Sequence, residues 1–132
     1  MDRTTTTAGT PARLWAVRIA VSAHLAAILW EGATAGQLVT FNGAALLPHH
    51  YGAFAVHAVA ALQLLSALWH WNAAGRPGGV PRSLVLVSGL AFLLGFLQAA
   101  LGTYGPVQTH VPLALVLTGT VVWAASLAWR RP

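Results

Sequence analysis

SLVLVSGLAFLLGFLQAALGTYGPVQTHVPLALVLTGTVVWAASLAWRR, residues 83–131, holds two long apolar runs parted by a short break and stopped by paired arginines. No acid and no lysine interrupts it, and its first arginine stands at position 130. About 20 apolar residues, rising 1.5 Å each as a helix, cross a hydrocarbon core of about 30 Å. Lipid offers no hydrogen bonds, so backbone groups there must pair within their own segment, which a helix does and an open strand cannot. The break, GPVQ at 105–108, is short enough only for a turn back. The stretch therefore predicts an antiparallel pair of membrane-crossing helices.

Working outward, the same pattern occurs twice more. A first apolar span covers about 14–36, and a second covers about 50–71, following Pro48, a residue suited to a helix's first turn. The loop AAGRPGGVPR at 73–82, dense in Gly and Pro, separates it from the third span at 83–104. The fourth runs over 109–129, opening near Thr109 and Pro112. Residues 1–12 are polar, Thr-rich and aperiodic, and read as a disordered cytoplasmic tail. Only 7% of the chain is charged, against about 25% in soluble domains, too little to cover a water-facing surface. The expectation is an all-α, integral membrane four-helix bundle occupying 13–132 as a single domain.

The cations settle orientation. Arg3, Arg13 and Arg18 precede or open span one, Arg76 and Arg82 lie between spans two and three, and Arg130 and Arg131 follow span four. The two remaining connections carry neither Lys nor Arg. With four spans, all seven arginines fall on one side, which the positive-inside rule makes the cytoplasm: both termini in. Trp15, Trp69, Trp71, Trp123 and Trp129 gather towards that boundary, as an aromatic belt does. The arginines are dispersed at helix ends rather than arrayed on one exposed face, which excludes a nucleic-acid-binding stripe. Arg13, Arg18, the apolar run and Ala33-Thr34-Ala35 also imitate a signal peptide, but the run is long for one and Glu31 sits beside the imagined cut. With no cysteine, disulfides, iron–sulfur clusters and covalently attached haem are excluded. An Ala/Arg-rich, Lys-free chain points to a high-GC, actinobacterial-type genome and hence to the cytoplasmic (inner) membrane of a bacterium.

Ionisable side chains inside spans are costly and mark function by default. Glu31 and Gln98 fall near the outer ends of spans one and three, and His49, His50 and His110 at the outer starts of spans two and four. His57 follows His50 by seven residues, on the same helix face and about 10 Å deeper. His24 stands in the same relation to Glu31. The outer half of the bundle thus concentrates seven strongly polar groups, whereas His70, between two tryptophans, belongs to the inner boundary. Three chemistries fit: haem ligated by imidazoles from facing helices, a Cu or Zn ion held at the rim, or wet helix ends and interhelical hydrogen bonds with no ligand.

LLGFLQAALGTYGPVQTHVPLALVL at 93–117 resembles a helix pair of the haem A synthase family, in which a Gln-x-x-Leu-Gly-like helix end leads through a short loop to a helix-opening His. Gln98, Leu101, Gly102 and His110 fit that pattern, and GATAGQLVTFNGAALLPHH at 32–50 resembles the family's first outer connection. The family is built of two four-helix halves, each with a His pair on its second and fourth helices; this chain corresponds to one half, over roughly 28–127. The resemblance implies b-type haem, with His110 as one axial ligand and His50 as the other, His49 and His57 being fallbacks. It implies haem handling or electron transfer. In the family a Glu stands three residues before the second-helix His and an Arg follows it; here Leu47 and Tyr51 occupy those places around His50, and an outer-loop Cys pair is missing. Oxidation of a haem methyl group is therefore not implied.

The alternative function is a non-enzymatic accessory subunit or carrier with a polar outer pocket and no haem. Ala91, Gly95, Ala99 and Gly102 form a small-residue strip on span three, suited to close helix packing in lipid. That strip serves either the bundle interior or a homodimer, the latter suggested by the paired halves of the resembled family. Besides the lipid bilayer, a second copy or another membrane protein is thus the expected partner.

Overall fold

The structure, a computed structural model, describes residues 12–74 and 80–130. The expected tail (but for Ala12), Arg76 in the 73–82 loop, and Arg131 fall outside the described residues. Among the described residues the fold is all-α: α1 (Ala12–Val39), a 3₁₀ turn (Gly43–Ala45), α2 (Leu46–Ala73), α3 (Val80–Tyr104) and α4 (Val107–Trp129). All four helices are long and apolar enough to cross a membrane. Each extends beyond the span expected from hydropathy, because backbone hydrogen bonding continues past the apolar run. Pro48 and Pro81 fall in first turns, where an amide donor is unneeded. Pro112 lies inside α4, since the helix begins at Val107.

Where α1 ends, Phe41 N donates to Leu38 O at 3.0 Å and Asn42 N to Gln37 O at 3.0 Å. This is a Schellman closure with Phe41 in the left-handed position, φ 62°. Glycine usually occupies that position, because a Cβ crowds the following carbonyl there.

The helices form a ring in chain order: α1 packs on α2, α2 on α3, α3 on α4, and α4 back on α1. Diagonal pairs do not approach, which leaves room along the axis. The ring is filled only at the end holding the start of α1 and the end of α4. Val17 and Val21 of α1, Ala67 of α2, Leu84, Val87 and Ala91 of α3, and Leu117, Val121, Ala124, Leu127 and Ala128 of α4 make one core. In lipid such a core is held by close van der Waals packing rather than by expulsion of water, which explains its small and β-branched residues.

Arg18 fastens the same end. Its Nε donates to Ala128 O at 3.0 Å, and its guanidinium lies 5.4 and 4.9 Å from the ring centres of Trp15 and Trp129. Those indoles meet edge-on at 6.0 Å. The cation neutralises a helix C-terminus and stacks on aromatic faces simultaneously.

A polar ladder crosses the middle. His24 Nδ1 lies 2.8 Å from Gln63 Oε1, and Gln63 Nε2 donates to Ser88 Oγ at 3.0 Å. All three residues are buried, tying α1, α2 and α3 at one depth.

A histidine-lined candidate site

Beyond the ladder the bundle opens. On α3 the buried residues from Leu84 onward end at Gly95, and on α4 they begin only at Leu117. The space between is a cavity of about 900 Å³ with mainly apolar walls, reaching Ile28–Ala35, Leu46–His57, Gly95–Thr103 and His110–Thr118. Its volume stands near the upper end of the range for small-molecule and cofactor sites, about 300–1,000 Å³.

Six of the seven expected site residues line it: Glu31, His49, His50, His57, Gln98 and His110. The small-residue strip faces inward as well. Ala91 is buried in the core, and Gly95, Ala99 and Gly102 line the cavity. On this chain the strip thus borders the bundle interior, the first of the two uses expected of it. His24 lies apart, engaged in the ladder and wholly buried, though within electrostatic range of His57.

The imidazoles share an arrangement that sequence spacing does not reveal. His49 Nδ1 is 3.1 Å from Glu31 Oε2 and 3.0 Å from Thr34 Oγ1. Thr34 itself donates to the carbonyls of Trp30 or Glu31, so its oxygen accepts from the histidine. His57 Nδ1 donates to Ala53 O at 2.6 Å, and its ring meets Phe96 edge-on at 4.5 Å. His110 Nδ1 donates to Gln98 O at 3.0 Å. In each case an oxygen acceptor holds the proton on Nδ1 and puts the ring's lone pair on Nε2. Metal-ligating histidines are oriented in this way, with the outer nitrogen bonded to a carboxylate or carbonyl.

The Nε2 atoms differ in what they meet. That of His57 points at Gly95, where an added Cβ would stand 3.8 Å away. That of His110 accepts from the Gln98 side-chain amide at 3.2 Å, so one residue holds both ring nitrogens. Gly102 makes the clasp possible, because a Cβ there would fall 2.7 Å from His110 Cε1. Gln98 Oε1 is buried with no hydrogen-bond partner, as is Glu31 Oε1, which lies against Gly52.

His50 is placed differently. It is exposed at the cavity mouth, its ring edge-on to Tyr51 and Phe54 of its own helix at 5.5 Å each. Among the described residues no group of three or more His, Cys, Asp or Glu is placed to hold a metal ion, which removes the three-histidine rim site for Cu or Zn. His70 lies at the opposite end, near Arg13.

Sequence reasoning missed Gln63, Ser88 and Thr34. Gln63 carried a usable signal, a strongly polar side chain at mid-span. Thr34 carried none, since a helical threonine usually satisfies itself on its own preceding turn, as this one also does. Compared with family models, curated proteins and solved structures, the chain matches none.

Proposed function

We propose that the chain is a multi-pass protein of a bacterial cytoplasmic membrane, its arginine-bearing end cytoplasmic, and that it binds one b-type haem in the histidine-lined cavity. The observation carrying this is the set of imidazoles from α2 and α4 whose Nδ1 atoms are bonded to protein oxygens, leaving Nε2 to bind an electron-poor centre. Neutral imidazole pairs suit haem iron, and mainly apolar walls with a smooth glycine–alanine strip suit a flat macrocycle. The described arginines all lie at the other end, so the two haem carboxylates would need the wet mouth.

His110 serves as the α4 ligand. On α2, His49 supports the pairing best: its Nδ1 is fixed on Glu31 and Thr34, and it lines the cavity with His110. His50, the first expectation from the sequence, is turned onto Tyr51 and Phe54, and His57 lies about two turns deeper. Bound haem would supply one-electron redox chemistry, which makes electron transfer or haem handling the role. The residues of this chain would orient the ligand and keep bulk water from its deeper face.

The test is the absorbance spectrum of the detergent-purified protein expressed with haem supplied. A redox-sensitive Soret band is expected, lost in His110→Ala and His49→Ala and retained in His70→Ala. Loss in His50→Ala with retention in His49→Ala would restore the pairing first read from the sequence. One observation favours the ligand-free accessory subunit or carrier, namely that Gln98 already satisfies both nitrogens of His110. A stable, folded protein with no Soret band would select that reading.

A further inference from the structure

The bundle's polar ties at the cavity end are unevenly shared. Glu31 and Thr34 bind α1 to α2 through His49. Gln98 binds α3 to α4 through His110, and His57 packs α2 against Phe96 and Gly95 of α3. Among the described residues, the fourth seam, between α1 and α4, is tied at the far end, by the Arg18–Ala128 bond and the Trp15–Trp129 contact. It is also the least extensive seam of the ring. The α1–α4 seam is thus clamped at one end and, among the described residues, untied at the other.

The register shows what stands at the untied end. Trp15 beside Trp129 sets the antiparallel alignment, which brings Leu29 level with Leu115 and Ala33 level with Val111. Leu29 is 72% exposed and Leu115 71% exposed, yet both also line the cavity. A side chain that faces outside and cavity together stands at the lip of an opening. Along that seam the cavity is bounded by Leu29, Gly32 and Ala33 on one side and Val111, Ala114 and Leu115 on the other. None is charged. Glu31, the one acid nearby, is turned away to His49. In a bilayer such an opening faces acyl chains.

We propose that this α1–α4 slot is a lateral entrance from the membrane, through which a lipid-dissolved amphiphile with an apolar edge and a polar or metal-bearing head reaches the histidines. The proposal rests on the cavity being a ligand site, but not on haem being its occupant. The slot is continuous with the cavity and wholly apolar at its lips, so a ligand's apolar edge there exchanges one hydrocarbon surrounding for another. A head group has the opposite preference: it leaves lipid for Gln98, His49, His57 and His110. Water-soluble ligands gain nothing from the slot and would enter through the polar mouth near His50.

The chain has no cysteine, so single probes are clean. A bimane on Ala114→Cys, inside the slot, is compared with one on Val122→Cys, on the exposed face of α4, and one on Val121→Cys, in the core. In vesicles of phospholipid brominated along its acyl chains, the position 114 probe should be quenched at least half as strongly as that at 122, with 121 spared. Quenching of position 114 by aqueous iodide but not by brominated lipid would overturn the proposal. A second arm uses Ala33→Cys with Val111→Cys, either capped with N-ethylmaleimide or bridged with a bis-maleimide. Uptake of haem b from haem-loaded vesicles should slow at least tenfold on bridging, whereas protein bridged after loading keeps its spectrum. Equal uptake by bridged and capped protein would also overturn it. If no variant takes up haem, the haem reading fails while the quenching comparison still decides the slot.

Discussion

Replacing Gln98 by leucine tests whether the clasp on His110 competes with a ligand. In the present arrangement the Gln98 amide donates to His110 Nε2 at 3.2 Å, the atom a metal would need, while the backbone carbonyl of the same residue holds Nδ1. Leucine keeps most of the volume and leaves the carbonyl untouched, so the ring keeps its tautomer and direction. A neutral hydrogen bond of this kind contributes about 0.5–1.5 kcal/mol net. Removing it from the unliganded state should tighten binding about two- to twelvefold, at about 1.4 kcal/mol per factor of ten. Gln98 Oε1 is buried without a partner, so its loss sacrifices no second bond. The assay is titration of haem into detergent-solubilised protein, followed at the Soret band, with parallel carbethoxylation of His110 by diethylpyrocarbonate in the haem-free form. Tighter binding and faster modification are expected together. Unchanged or weaker binding would refute the competition and make the amide a donor to the bound ligand instead.

Three further outcomes follow from the geometry. Gly102→Ala places a methyl 2.7 Å from His110 Cε1, so it should displace the ring at a cost of about 1–3 kcal/mol, read as earlier unfolding in mixed micelles and as loss of any haem signal. Gln63→Leu strands His24 Nδ1 and Ser88 Oγ in the closed interior. Interhelical hydrogen bonds in membranes average about 0.6 kcal/mol, with the largest near 1.7, so a loss of about 1–3 kcal/mol in a micellar unfolding titration is expected; no change would mean that the ladder is decorative. Reporter fusions after Arg131 and within 73–82 should read cytoplasmic and those within 37–47 external, and an external C-terminus would end the assigned orientation.

The helices were legible because lipid imposes one rule on every residue of a span, and a run such as 89–97, GLAFLLGFL, obeys it without exception. Their ends were less so. Val39 and Leu46 belong to helices that outlast the hydropathic signal, and Phe41 takes a left-handed conformation that no propensity assigns to it. For the site, spacing alone gathered Glu31, His49, His57, Gln98 and His110 at one end, since positions seven apart share a face and a known depth. Spacing could not choose between His49 and His50. Adjacent residues on a helix point about 100° apart, and only the position of α1 shows that it is His49 which meets Thr34 and Glu31. Nor could it show that Gln98 grips its neighbour twice, which depends on the α3–α4 turn and on the absent side chain of Gly102.

The filled half of the bundle, from Val17 and Val21 to Ala128, has an electrical consequence. A cavity of about 900 Å³ within a membrane invites leakage of protons. Here the axis is stoppered by branched hydrocarbon, with Leu84 and Val121 almost wholly enclosed, so the molecule is a cup and not a pore. Because the cup is open at one end, the transmembrane voltage falls mainly across its floor. A charge carried from the cavity through that floor would meet nearly the whole potential, about 2.3 kcal/mol for each 100 mV, whereas one entering the cavity from the open side meets little. Anything bound among the histidines is thereby wired to the potential of a single side of the membrane.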